Sequence, residues 1–263
     1  MVWHERAEQA RGPGTGLAVN AERAVVRLGG GAESSVTLLC VPQAGGGAAA
    51  FHRLRSCLPP QIGLCAVRLP GRETRRREPA IKRMDAAVAE IMQDLDVTGP
   101  APLALLGYCS GSFIAYKIVR RLLHARSRPS RLIVLASPAP RVVEPARWVH
   151  TKSRAELIEY VRDARITADT ILNEEDLFKM FEPAIRADFE TYETWECQAE
   201  PPVTIPITVV GAAEDKSVDL DDLLAWRRYT SSEFTLRIQP GGHDFLASGT
   251  AVMARGIGAD LLS

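Results

Sequence analysis

The chain has 263 residues, 46% of them hydrophobic, and its 32 basic residues balance its 32 acidic ones. This length and apolar content allow one domain with a large core. The neutral balance shows no footprint for nucleic acid or for an anionic membrane surface. No run reaches the ~18 apolar residues of a spanning helix, and the N-terminus lacks the apolar core of a signal peptide. We therefore expect a cytoplasmic protein with neither nucleic acid nor membrane as a partner.

The first 22 residues show no hydrophobic periodicity and predict a loose N-terminal extension, so we place a single domain at 23–263. Six short apolar runs, each closed by a turn signal, are candidate strands: 36–42, 63–70, 102–107, 131–137, 207–212 and 234–240. Between them, apolar side chains at helical spacing predict helices over 84–96, 112–125 and 221–229. This alternation predicts an α/β fold with a mostly parallel central sheet flanked by helices.

Residues 141–200 break the alternation, because this long segment between two strands is helical in pattern. Ser153 and Glu156 form a capping box, which indicates a helix start. The segment is rich in aromatic residues: Phe178, Phe181, Phe189, Tyr192 and Trp195. We interpret it as a helical lid over the carboxyl edge of the sheet. For any one of these aromatic residues, simple packing onto the sheet is as good an explanation as lining a pocket.

The five cysteines are odd in number and show no C-x-x-C spacing, which argues against both a disulfide framework and a zinc site. They are Cys40, Cys57, Cys65, Cys109 and Cys197. We expect reduced thiols and no metal.

The stretch GYCSG at 107–111 follows a predicted strand and opens a predicted helix. This is the setting of a nucleophile elbow, in which flanking glycines relieve crowding in a sharp turn. Only Cys109 is framed by glycines, because neither Ser110 nor Ser112 has glycine two residues away on both sides. The N-terminus of the following helix favours a thiolate and an oxyanion at this place. Taken alone, the pattern leaves a catalytic cysteine and a small core cysteine equally open.

Two later segments favour catalysis. QPGGHDF presents His243 after a strand, where it can act as general base. VVGAAEDKSVD ends another strand with acids, and the order nucleophile, acid, histidine is that of α/β-hydrolases. Asp215 is our candidate to orient the histidine, and Glu214 and Asp219 are the alternatives. The glycine loop CVPQAGGG after the first long strand can supply an oxyanion hole, for which we assign the N–H groups of Ala44 and Ser110.

At these residues the sequence resembles the type II thioesterases of polyketide and nonribosomal peptide assembly lines. The resemblance runs from about Arg23 to the C-terminus and lies in five segments in order: VPQAGGGAAAFHRL, RLPGRETRRREP, ADFETYETW, GAAEDKSV and QPGGHDFL. It implies an α/β-hydrolase fold with a helical lid, acting on acyl groups held as thioesters on the phosphopantetheine arm of an acyl or peptidyl carrier protein. The protein itself would need no cofactor. The implied triad is Cys109, Asp215 and His243.

The sequence departs from the family at three positions. The usual nucleophile is serine rather than Cys109, the oxyanion loop usually has histidine where this chain has Gln43, and Tyr108 replaces a residue that is often histidine. We assign Gln43, Tyr108, Phe189 and Trp195 to the substrate pocket.

Three functions follow from these features. The first is hydrolysis of carrier-bound acyl or aminoacyl thioesters through an S-acyl enzyme. The second is transfer of the acyl group between carrier thiols, because a cysteine acyl-enzyme is itself a thioester and stays activated. The third is a non-catalytic binding module with an α/β-hydrolase shell, against which the intact Cys, Asp and His set counts. An acidic carrier surface could meet arginines in two runs: Arg72, Arg75, Arg76 and Arg77, or Arg120 and Arg121.

Overall fold

The computed structural model describes residues 23–31, 33–95, 100–141 and 143–263. The predicted N-terminal extension, 1–22, lies outside the described residues. The strands are β1 Val25–Gly29, β2 Val36–Val41, β3 Ile62–Val67, β4 Leu103–Tyr108, β5 Arg131–Leu135, β6 Ile207–Ala212 and β7 Phe234–Gln239. Within the described residues they form one seven-stranded sheet of order β1-β3-β2-β4-β5-β6-β7. Only the β1–β3 pairing is antiparallel, so the prediction of a mostly parallel sheet is confirmed.

Helices cover both faces of the sheet. They are α1 His52–Cys57, α2 Met84–Asp94, α3 Gly111–His124, α4 Arg154–Asp163, α5 Asp169–Leu172, α6 Glu175–Glu193, α7 Leu220–Leu224, α8 Phe245–Ser248 and α9 Thr250–Leu262. One core cluster packs α2 and α3 on one face, and a second packs α1 and α9 on the other. The strands read as continuous apolar runs because a parallel sheet is buried on both faces.

The six predicted strands and the long helices are present, and the differences lie at short or edge elements. Strand β1 was not predicted, since it is a short edge strand that is mostly half-exposed and carries Arg27 in its middle. Helix α1 is only six residues long, too short to show a helical period. The predicted helix over 221–229 is α7 followed by a 3₁₀ turn at Ala225–Tyr229. The predicted helix over 84–96 ends at Asp94, and residue 96 is outside the described part.

The segment between β5 and β6 is helical, as predicted for the lid. It contains α4, α5 and α6, and α4 begins with the capping box of Ser153 and Glu156. The lid has its own apolar cluster, which includes Leu157, Phe178 and Phe189 and also Ala44 from the loop after β2. The lid is therefore packed directly onto the carboxyl edge of the sheet.

Half of the arginines considered for a carrier surface are used inside the protein. Arg72 pairs with Asp188, Arg75 lies 2.6 Å from both Glu78 and Glu90, and Arg120 pairs with Glu200. Only Arg76, Arg77 and Arg121 of the two runs are exposed. Buried arginines offer no charge to a partner, so neither run forms a continuous basic surface.

No helix among the described residues is long and apolar enough to cross a bilayer. The same part of the chain contains no group of three or more His, Cys, Asp or Glu side chains that could hold a metal ion.

Trp226 links the core to the carboxyl edge of the sheet. Its side chain is fully buried, its indole N–H donates to the Ser137 carbonyl at 2.9 Å, and its ring packs against Tyr116 and Tyr229. We expect Trp226→Ala to lower the free energy of unfolding by about 3–5 kcal/mol, because it opens a cavity. Urea unfolding measures this loss.

The control is Leu224→Ala in the neighbouring helix α7, since Leu224 is 43% exposed. Its cost should stay within about 0.5 kcal/mol. Equal losses for the two variants would contradict the placement of Trp226 in the core.

Candidate active site

Cys109 lies in a strained turn between β4 and α3. Its φ is +51°, a left-handed conformation that non-glycine residues adopt uncommonly. Glycine is required before it, because a Cβ on Gly107 would lie 2.2 Å from Ser112 Cα. The turn therefore has the geometry of a nucleophile elbow.

The elbow lies against the loop that follows β2. Strands β2 and β4 are parallel neighbours, with Val41 opposite Gly107. A Cβ on Gly111 would lie 2.4 Å from the carbonyl oxygens of both Val41 and Pro42, so glycine allows this close approach. Within the described chain, the N–H groups of Ala44 and Ser110 have no backbone or side-chain acceptor. Two unpaired donors are thus available from the loop and from the start of α3, as an oxyanion hole requires.

His243 and Asp215 form a buried pair. The His243 ring nitrogen Nδ1 donates to Asp215 Oδ2 at 2.8 Å, and the side chains are 4% and 1% exposed. The other oxygen of Asp215 accepts from the Ser217 N–H at 2.8 Å. The alternative acids serve elsewhere: Glu214 is exposed, and Asp219 caps α7 by accepting from the Asp222 N–H. The acid placed on the histidine is therefore Asp215.

The interactions of His243 favour its protonated form. Burial lowers the pKa of His243, but the interactions of the ring with Cys109 and with the Asp215 carboxylate outweigh burial and raise this pKa to about 10. Burial also raises the pKa of Asp215, but His243 and the N–H groups of Ser217 and Val218 hold it below its usual value. The second ring nitrogen of His243, Nε2, has no nitrogen or oxygen partner among the described residues. It is thus free for proton transfer.

Tyr108 contacts His243 through a hydrogen bond and through ring stacking. Its hydroxyl donates to the His243 carbonyl at 2.8 Å, and the two rings stack with centroids 6.0 Å apart. Phe245 meets the Tyr108 ring edge-on at 6.3 Å. Because burial raises the pKa of Tyr108 well above its usual value, the hydroxyl remains a donor. Tyr108 therefore fixes the loop that carries His243.

Cys109 and His243 open into one cavity of about 400 Å³ under the lid. This volume suits a small ligand or a short acyl group. Its walls combine apolar side chains with a few polar ones. The lining includes Phe113, Arg141, Val149, Tyr160, Phe189, Tyr192 and Glu193. We call this cavity the acyl chamber.

A buried carboxylate stands in the wall of the acyl chamber. The Glu193 side chain is 1% exposed and accepts from the Val149 N–H at 2.7 Å and from the His150 ring at 2.6 Å. The pKa of nearby Tyr192 is raised well above its usual value, first by burial and then by the charges of Tyr160 and Glu193. Through its bonds to Val149 and His150, Glu193 connects the end of α6 to the start of the lid.

The four residues assigned to the substrate pocket are divided among three places. Phe189 lines the acyl chamber. Gln43 and Tyr108 line a neighbouring cavity that Cys109 does not reach. Trp195 lies beyond the end of α6, where it packs on Phe113 and lines an outer groove. Trp195 is outside the chamber because α6 ends at Glu193 and turns the next residues away.

Sequence reasoning missed Tyr160, Arg141 and Glu193 in the chamber wall. Tyr160 and Glu193 occur in segments read as amphipathic helix, where a polar residue is ordinarily solvated. The available signal was the helical period of α6, because Glu193 follows Phe189 by four residues and shares its face.

Comparisons with known proteins agree with this geometry. A family model described as thioesterase domain matches residues 36–261. The gramicidin S biosynthesis protein GrsT of Aneurinibacillus migulanus is 29% identical over 214 residues, covering 81% of this chain and 84% of that protein. Thioesterase PikA5 of Streptomyces venezuelae is 30% identical over 218 residues, covering 81% and 76%.

Solved structures give the same result. RedJ, a thioesterase from the prodiginine pathway of Streptomyces coelicolor, superposes with a TM-score of 0.82 at 29% identity, covering 89% of this chain and 93% of that one. The type II thioesterase BorB from the borrelidin cluster gives a TM-score of 0.81 at 30% identity, covering 90% and 97%. The fold is that of the α/β-hydrolases, as predicted, and the chain belongs to the thioesterase family of enzymes.

Proposed function

We propose that the protein hydrolyses acyl or aminoacyl thioesters from the phosphopantetheine arm of an acyl or peptidyl carrier protein in polyketide or nonribosomal peptide biosynthesis. The observation that carries this proposal is the placement of Cys109 and the Asp215-bound His243 in the wall of one acyl chamber. The names of GrsT, RedJ and BorB supply the class of pathway. No cofactor of the enzyme enters the reaction, because the phosphopantetheine belongs to the carrier.

The first half of the reaction is acylation of Cys109. Its sulfur attacks the thioester carbonyl carbon, and the N–H groups of Ala44 and Ser110 hold the oxyanion that forms. The bond from the carbonyl carbon to the carrier sulfur then breaks. That sulfur leaves with the electron pair and takes a proton from His243 Nε2. Asp215 keeps the imidazole in the orientation and tautomer that this transfer needs.

The second half releases the acid. Neutral His243 takes a proton from water as the water oxygen attacks the S-acyl carbonyl, and the same two N–H groups hold the second oxyanion. The bond to the Cys109 sulfur breaks, and the carboxylic acid leaves. The Cys109 sulfur keeps the electron pair of the broken bond and His243 keeps the proton, which agrees with the raised pKa of His243.

Acyl transfer to a second carrier is the alternative, and the sulfur at position 109 is the observation that favours it. A cysteine acyl-enzyme is a thioester, so its formation from a carrier thioester is nearly isoenergetic and reversible. A serine acyl-enzyme is an oxoester and lower in energy, so return to a thiol is uphill. Hydrolysis and transfer share the acylation step. They differ only in the nucleophile that attacks the S-acyl enzyme, which is water in one case and a carrier thiol in the other.

The reactivity of the five thiols tests the assigned nucleophile. Cys109 should be alkylated by iodoacetamide at neutral pH faster than the other thiols, because it shares its cavity with His243 and lies at the N-terminus of α3, a setting that activates a cysteine sulfur. Burial raises the pKa of Cys40, Cys65 and Cys197, which keeps those thiols protonated. Mass mapping of the labelled peptides measures the order.

Cys57 is the internal control, since it is exposed and lies in α1, away from the acyl chamber. His243→Ala should slow labelling of Cys109 about tenfold or more, to the rate of an ordinary thiol, and leave Cys57 unchanged. Asp215→Asn should have a smaller effect, because the acid only orients the base. Labelling of Cys57 ahead of Cys109 in the unaltered protein would contradict the assigned pair.

The fate of the acyl group distinguishes hydrolysis from transfer. An acyl-loaded carrier should give an acyl adduct on Cys109, visible by intact-mass spectrometry. When an unloaded carrier with a free phosphopantetheine thiol is then added, free acid should accumulate faster than the second carrier is loaded. Cys109→Ser is the matched variant, because an oxoester intermediate should suppress transfer more than hydrolysis.

Two outcomes would decide against hydrolysis. Loading of the second carrier with free acid at background would make the protein an acyl shuttle. If acyl carriers and acyl thioesters of N-acetylcysteamine all leave Cys109 unmodified and no free acid is released, the protein is not a hydrolase of these thioesters.

A further inference from the structure

Two charged side chains that take no part in the reaction form hydrogen bonds to the loop that carries Ala44. Arg72 comes from the segment after β3, and Asp188 comes from the lid helix α6. We propose that Arg72 and Asp188 are positioning residues for the oxyanion hole, which is therefore complete only while the lid helix is seated. The inference rests on the proposed function, because it concerns the same acylation step.

Asp188 bonds both to the loop and to the arginine. Its Oδ2 accepts from the Gly45 N–H at 2.8 Å and from Arg72 Nη1 at 2.7 Å, while its Oδ1 accepts from Arg72 Nη2 at 2.8 Å. The Arg72 and Asp188 side chains are only 4% and 8% exposed. A bidentate pair of this kind fixes direction as well as distance. The lid helix thereby determines where the Gly45 N–H points.

Arg72 bonds to the next peptide of the same loop. Its Nη1 also donates to the Gly46 carbonyl at 2.8 Å, and the Gly46 N–H closes a turn onto the Gln43 carbonyl at 2.9 Å. Ala44 lies inside this turn and makes none of these bonds itself. The bonds to Gln43, Gly45 and Gly46 therefore orient the Ala44 N–H, which is left unpaired for the oxyanion.

Two contacts show that the lid and the elbow both meet this loop closely. Gly45 has φ +71°, and a Cβ there would lie 2.5 Å from Ile185 Cγ1 in α6, so the helix occupies the space of a side chain. A small cavity is lined jointly by Arg72, Asp188 and Ser110. The ion pair thus adjoins the residue that supplies the second oxyanion donor.

A displacement of α6 would have two effects at once. It would open the acyl chamber, whose wall includes Phe189 and Glu193 of the same helix, and it would take Asp188 away from Gly45. Arg72 would then lose its carboxylate partner, and the Ala44 N–H would no longer be held in a fixed direction. Carbonyl chemistry at Cys109 is therefore restricted to the seated lid, whereas the Cys109 and His243 side chains are held by other elements.

The test compares two reactions of the same thiol. With iodoacetamide, the Cys109 sulfur bonds to the methylene carbon and iodide leaves, so no oxyanion forms. With p-nitrophenyl acetate, the sulfur adds to a carbonyl carbon, an oxyanion forms, and p-nitrophenolate leaves. Asp188→Ala should slow acetylation of Cys109 about 100-fold, the loss typical of an oxyanion donor, and leave alkylation within about twofold.

Two further variants complete the design. Arg72→Lys keeps the charge but cannot make both the bidentate pair and the Gly46 contact, so acetylation should fall by an intermediate factor; this variant also serves if Asp188→Ala does not fold. Glu190→Gln is the matched control, because it breaks a partly exposed ion pair between α6 and Lys82 without touching the loop. Its two rates should equal those of the unaltered protein.

The outcomes separate the two proposals. Equal acetylation of Asp188→Ala and the unaltered protein, or a parallel fall of acetylation and alkylation, would overturn the positioning role. If the unaltered protein is alkylated at Cys109 but takes no acyl group from p-nitrophenyl acetate or from acyl thioesters, the proposed function fails instead.

Discussion

The left-handed backbone at Cys109 is the constraint on which the site depends. A non-glycine residue in this conformation costs on the order of 1–3 kcal/mol and persists only when its surroundings hold it. Here the Cys109 N–H donates to the Leu135 carbonyl of the adjacent strand at 2.8 Å, and the Ser112 N–H donates back to the Cys109 carbonyl at 3.0 Å. Hydrogen bonds to β5 and α3 thus hold the strained turn, and Cys109 lines the cavity under the lid.

Parallel strands place the remaining parts at the same edge. The loops after β2, β4, β6 and β7 carry Ala44, Cys109, Asp215 and His243 respectively, and their strands end together because they run in one direction. The His243 and Asp215 side chains are buried together. A buried charge without a partner is costly, so the Asp215 carboxylate and a protonated His243 stabilise each other there. The Tyr108 hydroxyl and the Arg72 guanidinium act one step further out, on backbone groups of the same loops.

The sequence was sufficient for six of the seven strands among the described residues and for the sharp turn at Cys109, because each depends on a local signal: a buried run, or two glycines around one residue. It also offered a histidine and acids after late strands, and the fold brings His243 and Asp215 together. The sequence was insufficient where distant segments meet. Arg72 reads as one of several solvated arginines, and only the fold brings it to Asp188, 116 residues away. Trp195 reads as one more lid aromatic, yet the end of α6 places it outside the chamber. Glu193 reads as a solvated helix residue although it is almost fully buried.

The tie between lid and oxyanion hole bears on the choice between hydrolysis and transfer. Both reactions of an S-acyl Cys109 pass through an oxyanion, so on the proposed mechanism both require Asp188 on Gly45 and hence a seated lid. Water must then be present inside a chamber walled partly by Phe113, Val149 and Phe189. A carrier thiol is delivered instead on its own tether, at an effective concentration that the arm sets. On the proposed mechanism, the sulfur of Cys109 leaves transfer energetically open, and competition between water and a carrier thiol in the acyl chamber decides which nucleophile ends the reaction.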